Sequence, residues 1–448
     1  MSATEKTTEI SFLSCCKNQL KHFNNLMHSD WYRGVFTLSL TFLMPEYIAI
    51  ALVFLSLIFF YRTVKNENLT VKIGRLGIIL ISYICVSFFT CLYALDKMHS
   101  LLMSLLWAVM LIGYFYVTTI LNNRSRLRIT IQTFTVVAFV CGIISIIQYV
   151  LNLFGNFNCI LNLWYPLDKV IFDIILPEKL VLCWAGNRTA STFNNPNLYA
   201  MEMIILLPLG LYCLLTAETK NARIIHIVLM VVGFIGILFS FSRSGYIAFL
   251  LMLIAFGVLN FSKSRLSRWI LLVICVLTAA FILIPNPFMD RLSTISFDDV
   301  SIATRIDAWR VAWDAFKEQP FGYGIGSFNV MKLLKNAGIQ NVPHCHNIVL
   351  ELLAEGGFIA VMIYTVMCWF VYFSNIKLHR SPDHDSSMLG ATFLSIASGF
   401  LLFAMSDFPM STPKGILVFM LILALSDAAN DLHGLKPLKK LNKRKTLS

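Results

Sequence analysis

Apolar runs of about 17 to 25 residues, each long enough to cross the hydrocarbon core of a bilayer, recur along nearly the whole chain. Of its 448 residues, 57% are apolar and 13% are charged, whereas soluble domains carry about 25% charged residues. Such a chain has too few polar residues to cover its surface in water. The sequence therefore predicts an all-α integral membrane protein.

We predict about twelve transmembrane helices, at residues 31–44, 46–61, 76–95, 101–121, 129–153, 196–216, 224–241, 244–261, 267–285, 347–373, 387–405 and 413–430. Pro45 separates the first two, because proline interrupts a helix. Most Lys and Arg residues then fall on one side, which the positive-inside rule identifies as the cytoplasm. The net charge of +12 therefore indicates orientation in a bilayer rather than nucleic-acid binding, and both termini are predicted to be cytoplasmic.

This arrangement divides the chain into a cytoplasmic tail (1–30), a polytopic membrane domain (31–430) and a basic cytoplasmic tail (431–448). Two external loops are long, 154–195 and 286–346, whereas the cytoplasmic loops are short. An elaborate outer surface indicates that the protein works at the outer leaflet. Cys159 and Cys183 share the first external loop, so the sequence permits a disulfide there without requiring one.

The second external loop contains a helical pattern. Apolar side chains recur at steps of four and three residues, at Ile302, Ile306, Trp309, Trp313 and Phe316. This stripe predicts a helix lying in the membrane interface with its tryptophans at headgroup depth. Arg305 lies on the shoulder of the stripe, about 60° from its centre, and Arg310 flanks the other shoulder. The glycines of the following Pro-Phe-Gly-Tyr-Gly-Ile-Gly segment predict close backbone packing.

Ionisable residues at membrane depth are costly, so they indicate a partner, a cavity or a substrate. Arg243 lies in a Phe-Ser-Arg-Ser-Gly turn between two spans, where it either binds any lipid phosphate or has a specific role. Glu351 and Glu355 lie one turn apart in an apolar span. Buried carboxylates need a cation, and Arg243 and Arg305 are the candidates.

Two polar segments border spans. The Ser-Thr-Phe-Asn-Asn-Pro-Asn segment, with Asn194 and Asn197, predicts a turn and a helix start near Pro196. With Arg188 it is either a helix cap or a group of hydrogen-bonding side chains suited to sugar or phosphate. His344 and His346 form an HxH pattern, but two ligands without a matching third are weak evidence for a metal. We therefore predict no metal and no cofactor. Three roles remain open for His346: general base, phosphate partner and helix cap.

External arginines combined with a histidine suit a phosphorylated lipid substrate. Arg binds phosphate through a planar bidentate fork and stays charged. A diphosphate leaving group needs such charge neutralisation as its bond breaks. A histidine that titrates near neutral pH accepts a proton from an attacking hydroxyl.

Four motifs together resemble the O-antigen ligase/polymerase superfamily. They are Arg188 with Ser-Thr-Phe-Asn-Asn-Pro-Asn, Phe-Ser-Arg243-Ser-Gly, Arg305-x3-Trp309 followed by Pro-Phe-Gly-Tyr-Gly-Ile-Gly, and His346-Asn-x3-Glu351-x3-Glu355-Gly. The resemblance covers roughly residues 30 to 430. It implies a GT-C-like fold in the bacterial cytoplasmic membrane and metal-independent, inverting transfer of a glycan from undecaprenyl diphosphate to an acceptor.

Carried over to this sequence, the resemblance implies that Arg243 and Arg305 hold the diphosphate and that His346 activates the acceptor. Substrate-binding candidates are Arg188, Asn194, Asn197, Arg310, Glu351 and Glu355. His344 is not required by the pattern, and if it were the base, the role of His346 would fail.

The acceptor stays open, because members of the superfamily differ in it. A ligase attaches glycan to lipid A–core or a similar acceptor, and a polymerase joins repeat units. The expected partners are the lipid-linked donor, a glycan or lipid acceptor and the bilayer. A transporter or flippase of an anionic amphiphile is the alternative from another class; it predicts inverted repeats and mid-membrane charges, which the sequence does not display.

Overall fold

The computed structural model describes residues 21–433 apart from 22, 155–187, 194, 264, 286, 288, 290–299 and 341. The described part of the chain is helical and contains no strand, which confirms the predicted all-α fold. Asn194, Cys159 and Cys183 lie outside the described residues, as do most of the first external loop and most of both predicted tails.

In chain order the helices are α1 (Asp30–Leu40), α2 (Glu46–Asn66), α3 (Arg75–Thr90), α4 (Lys97–Ile120), α5 (Arg124–Phe154), α6 (Pro196–Leu215), α7 (Lys220–Phe239), α8 (Arg243–Leu259), α9 (Arg265–Leu283), α10 (Val300–Glu318), α11 (Ser327–Asn336), α12 (Ile348–His379), α13 (His384–Ala404) and α14 (Pro413–His433). A short 3₁₀ turn, Pro409–Ser411, precedes α14. Each predicted span overlaps one helix, and α10 and α11 occupy the predicted second external loop.

Eight helices of the described chain are long and apolar enough to cross a membrane: α2, α4, α5, α6, α7, α12, α13 and α14. Helix α1 has 11 residues, which at 1.5 Å per residue covers about half of a ~30 Å hydrocarbon core. The structure thus confirms an integral membrane protein, while the count of twelve crossings and their orientation remain predictions.

The interruption expected at Pro45 is confirmed. Helix α1 ends at Leu40, and α2 begins at Glu46 with Pro45 as its N-cap residue. The two helices then pack against each other. The proline therefore separates two helices that the sequence could otherwise have joined into one long apolar run.

Helices α6, α13 and α14 form the interior of the bundle, whereas α2 and α7 expose most of their surface. The first residues of α6, α8 and α12 and the residues just after α13 meet at one end of the bundle, as the hydrogen bonds between them show. Helix starts carry unpaired N–H groups, so this end combines polar backbone with the loops that hold the charged residues.

Candidate active site

The centre of the site is Asp407, a buried carboxylate in the short connection between α13 and the 3₁₀ turn. Its Oδ1 accepts from His346 Nδ1 at 3.1 Å and from the Phe408 N–H at 2.8 Å. Its Oδ2 accepts from Asn197 Nδ2 at 2.9 Å. Asp407 therefore joins α6, α12 and α13, and sequence reasoning missed it.

Asn197 lies at the start of α6, where the predicted helix start is confirmed. Pro196 is the first helical residue, and the Asn195 side chain caps the helix by accepting from the Asn197 N–H at 2.8 Å. The Asn197 Oδ1 accepts both from Arg188 Nη2 and from Ser242 Oγ, each at 2.9 Å. Two donors fill an amide oxygen, so Asn197 acts as a positioning residue for its neighbours.

Arg188 and Arg243 converge on the same turn, between α7 and α8. Arg188 Nε donates to the Ser240 carbonyl at 3.1 Å. Ser242 caps α8 by accepting from the Gly245 N–H at 3.2 Å, and Arg243 is the first residue of that helix. The Arg243 side chain is half-buried. The hydrogen bonds through Asn197 connect this turn to Asp407.

Helix α10 is confirmed, and a face of small residues packs it onto the protein. Ala308, Ala312 and Ala315 are buried, and Arg305 precedes them on the same face at helical spacing. The Arg305 charge acts on Asp407 and on His344. The alanines therefore let α10 lie close enough for its arginine to face the carboxylate.

The two tryptophans and the second arginine of α10 differ from Arg305 in their exposure and contacts. The Trp313 side chain is 48% exposed, as expected for a residue on the lipid-facing stripe. Trp309 is half-buried and donates its Nε1–H to the Cys345 carbonyl at 2.8 Å. The Arg310 side chain is 73% exposed and pairs with Asp307 at 3.1 Å. The structure thus does not bring Arg310 to Asp407.

The turn from His344 to Asn347 holds its histidines in a constrained backbone. His346 has a φ of 54°, a left-handed conformation that is strained for a residue other than glycine and recurs at functional sites. Asn347 caps α12 through the N–H groups of Val349 and Leu350 and donates to the Met405 carbonyl at 3.1 Å. The turn is therefore fixed from both sides.

His344 and His346 have different environments. The His346 side chain is 21% exposed, whereas that of His344 is 5% exposed. His344 Nδ1 accepts from the His346 N–H at 3.2 Å. Burial, the neighbouring His346 and Arg305 together lower the pKa of His344 to about 3, against the opposing effect of Asp407. His344 is therefore neutral at physiological pH, and His346 is the more accessible imidazole.

Asp407 stays ionised although it is buried. Burial raises its pKa, but the hydrogen bond from His346 and the positive charges around it outweigh burial and hold the pKa of Asp407 well below its usual range. A carboxylate that accepts from imidazole Nδ1 fixes the ring orientation and stabilises the imidazolium form. The pair therefore has the arrangement of a general base with its orienting acid.

A known protein family matches the part of the chain that contains three of the site residues. Residues 228–365 match the family model described as O-antigen ligase. This match supports the predicted resemblance to the O-antigen ligase/polymerase superfamily. The matched segment contains Arg243, Arg305 and His346, whereas Asn197 and Asp407 lie outside it. None of the curated proteins compared matches the chain.

The site brings together three groups of a kind that binds metals. Ligand atoms of His344, His346 and Asp407 lie within 4.8 Å of one another, and two histidines with a carboxylate suit a transition metal. The proton of neutral His344 lies on Nε2, however, because Nδ1 accepts a hydrogen bond. Nε2 is the atom 3.6 Å from Asp407 Oδ1, so it offers no lone pair. As arranged, with the Arg305 charge nearby, these residues do not fit a metal.

The glycine-rich segment of the superfamily motif packs against the start of α12. Gly322, Gly324 and Gly326 all have positive φ values, and a Cβ at Gly322 would lie 2.4 Å from the Glu355 carbonyl oxygen. The Gly324 N–H donates to that carbonyl at 2.8 Å. The glycines thus allow the close backbone approach that the sequence predicted, and the approach is to protein backbone.

A buried lysine, also missed from the sequence, anchors the Arg188 loop. Lys414 Nζ donates to the Thr192 carbonyl at 2.8 Å and to the Phe42 carbonyl at 3.0 Å, and it lies 3.9 Å from the centroid of the Phe193 ring. A lysine at the start of an apolar span was the only sequence signal. Lys414 connects α1, α14 and the loop before α6.

Proposed function

We propose that the protein is a membrane glycosyltransferase that moves a glycan from an undecaprenyl-diphosphate donor to an acceptor hydroxyl. The reaction takes place at the outer leaflet of the bacterial cytoplasmic membrane, with both termini in the cytoplasm. The observation that carries the proposal is the hydrogen bond between His346 Nδ1 and Asp407 beside Arg305, in a chain whose residues 228–365 match the O-antigen ligase family model.

The arginines supply the positive charge that a diphosphate requires. In the proposed reaction the acceptor oxygen attacks the anomeric carbon, and the bond from that carbon to the diphosphate breaks with inversion. The leaving diphosphate gains negative charge, which Arg243 and Arg305 neutralise in place of a metal ion. Arg188 lies at the same turn as Arg243 and adds to this charge. Arg310, paired with Asp307 on the exposed face of α10, is left out of the mechanism.

His346 takes the proton of the attacking hydroxyl. With Nδ1–H donated to Asp407, the lone pair of the neutral ring is on Nε2, which can accept that proton. The ionised Asp407 then stabilises the imidazolium that forms. His344 is less suited to this role, because its ring is buried and its Nδ1 already accepts the His346 N–H.

Two acceptors fit the superfamily. A ligase transfers the glycan to lipid A–core or a similar acceptor, and we place this reaction first. A repeat-unit polymerase of the O-antigen or teichuronic type uses the same donor chemistry with a second lipid-linked glycan as acceptor. Both reactions require the same base and the same diphosphate site, so the choice between them depends on the acceptor alone.

The test is a transfer assay with purified protein in detergent or nanodiscs. The protein is incubated with a defined undecaprenyl-diphosphate glycan and separate candidate acceptors, and products are identified by mass. We expect one acceptor to gain the glycan with release of undecaprenyl diphosphate, and His346→Ala to abolish this. His384→Ala, an exposed histidine at the start of α13, is the matched control. Equal transfer by the wild type and His346→Ala would overturn the mechanism.

A further inference from the structure

Glu351 and Glu355 are buried in the first turns of α12, with side chains 0% and 1% exposed. The sequence predicted an arginine partner for them, but the groups that contact them are different. The two side chains are four residues apart on α12 and therefore lie next to each other on the same face of the helix. A hydrogen bond between two carboxyl groups requires a proton on one of them, because an ionised carboxylate only accepts.

We propose that Glu351 and Glu355 share one proton and act together as a positioning pair for His346. Each glutamate has one buried carboxyl oxygen, Oε1, that has no hydrogen-bond partner among the described residues. A proton held between the two side chains satisfies both carboxyl groups and leaves the pair with a single negative charge. Two like charges one helical turn apart in a buried site would not both persist.

Other oxygens of the two glutamates hold two segments of the site. Glu351 Oε2 accepts from the Cys345 N–H at 2.6 Å, which fixes the residue before His346. The backbone carbonyl of Glu355 accepts from the Gly324 N–H of the glycine-rich segment at 2.8 Å. The pair thus connects the histidine turn to the glycine-rich segment through α12.

The glycine-rich segment is itself attached to the bundle. The Ile325 N–H donates to Thr90 Oγ1 at 3.1 Å, and Asn329 Nδ2 donates to Ser100 Oγ at 2.7 Å. These bonds connect it to α3 and α4. The left-handed backbone of His346 needs such support, because a strained conformation persists only where its surroundings fix it. Glu351 supplies that support through its hydrogen bond with the Cys345 N–H, next to His346.

Two substitutions of Glu351, one that keeps its hydrogen bonds and one that removes them, distinguish a positioning role from direct participation in the reaction. In Glu351→Gln, the amide carbonyl accepts from Cys345 and the amide N–H replaces the shared proton toward an ionised Glu355. The hydrogen bonds and the net charge are then unchanged. Glu351→Leu has a similar volume but can neither accept from the Cys345 N–H nor donate to Glu355. The effect that we expect on glycan transfer rests on the proposed function.

In the transfer assay we expect Glu351→Gln to retain wild-type kcat. Glu351→Leu should lower kcat about 10- to 100-fold with little change in KM for the donor, because a displaced base costs rate rather than binding. Leu352→Ala, at the next buried position, is the control for destabilisation and should lower the thermal midpoint without this loss of kcat. Equal kcat in Glu351→Leu and wild type, or equal loss in Glu351→Gln and Glu351→Leu, would overturn the proposal.

A second measurement tests the shared proton without any substrate. Infrared difference spectra of wild type minus variant should contain the carbonyl stretch of a protonated carboxyl group for both Glu351→Gln and Glu355→Gln. Glu318→Gln, an exposed glutamate of α10, should give no such band. The absence of the band from both variants would refute the pair even if transfer is observed. Its presence in a protein that transfers nothing would refute the proposed function alone.

Discussion

Replacing Asp407 by Asn tests the site most informatively, because the structure predicts how far activity falls. Three donors face the Asp407 carboxylate: His346 Nδ1 and the Phe408 N–H at Oδ1, and Asn197 Nδ2 at Oδ2. An Asn side chain has one acceptor oxygen, so one position must carry an NH₂ group. An NH₂ group at the Oδ2 position faces one donor, Asn197 Nδ2. An NH₂ group at the Oδ1 position faces two donors, His346 Nδ1 and the Phe408 N–H.

The favoured orientation therefore keeps an oxygen against His346 and preserves the tautomer with Nδ1–H. What is lost is the charge. Hydrogen bonds to charged groups contribute about 1.5–3 kcal/mol, and about 1.4 kcal/mol corresponds to a factor of ten in rate. We thus expect Asp407→Asn to lower kcat about 10- to 100-fold, less than the ~10⁴-fold loss that accompanies the wrong tautomer in a Ser-His-Asp triad.

The assay is glycan transfer with a defined lipid-linked donor, with kcat and KM measured separately and the thermal midpoint recorded for each variant. Asp314→Asn is the control, because that side chain is 64% exposed and pairs with Lys317 on the surface of α10. It should have wild-type kinetics. A folded Asp407→Asn protein with kcat within about threefold of wild type would refute the orienting role, since this is less than 1 kcal/mol.

Three further predictions follow from the same contacts. Arg305→Lys should lower transfer at least about tenfold, because an ammonium cannot replace a bidentate guanidinium fork; wild-type kinetics would exclude bidentate binding. Lys414→Met should destabilise the protein by about 2–6 kcal/mol in thermal unfolding, since two buried carbonyls lose their donor at about 1–3 kcal/mol each, while Lys317→Met should not; equal midpoints would contradict the anchoring role. Transfer should persist in EDTA, and a loss that added divalent metal restores would instead support metal binding by His344 and its neighbours.

Local sequence patterns predicted the helices well. Pro45 and Pro196 mark helix boundaries where they were expected, because a proline acts on the backbone next to it. Helix α10 follows from the period of its apolar residues. These features depend on neighbours within a few residues, so the sequence alone contains the necessary information.

The partners within the site could not be predicted in the same way. Asp407 reaches His346 across 61 residues and Asn197 across 210, and no local pattern determines such pairings. The expected arginine partner of Glu351 was a reasonable inference from charge, but the shared proton that we propose would remove one charge without a cation. Lys414 was overlooked for a related reason. Its partners are backbone carbonyls and an aromatic ring far away in the sequence, so no charged residue indicated them.

The central claim is that His346 and Asp407 act as one unit in glycan transfer, and a double-mutant cycle tests it most directly. Transfer rates are measured for His346→Ala, Asp407→Asn and the double variant under single-turnover conditions. If Asp407 acts through the imidazole, the double variant should be no slower than His346→Ala alone. Rate losses that multiply in the double variant would show independent roles and contradict the account.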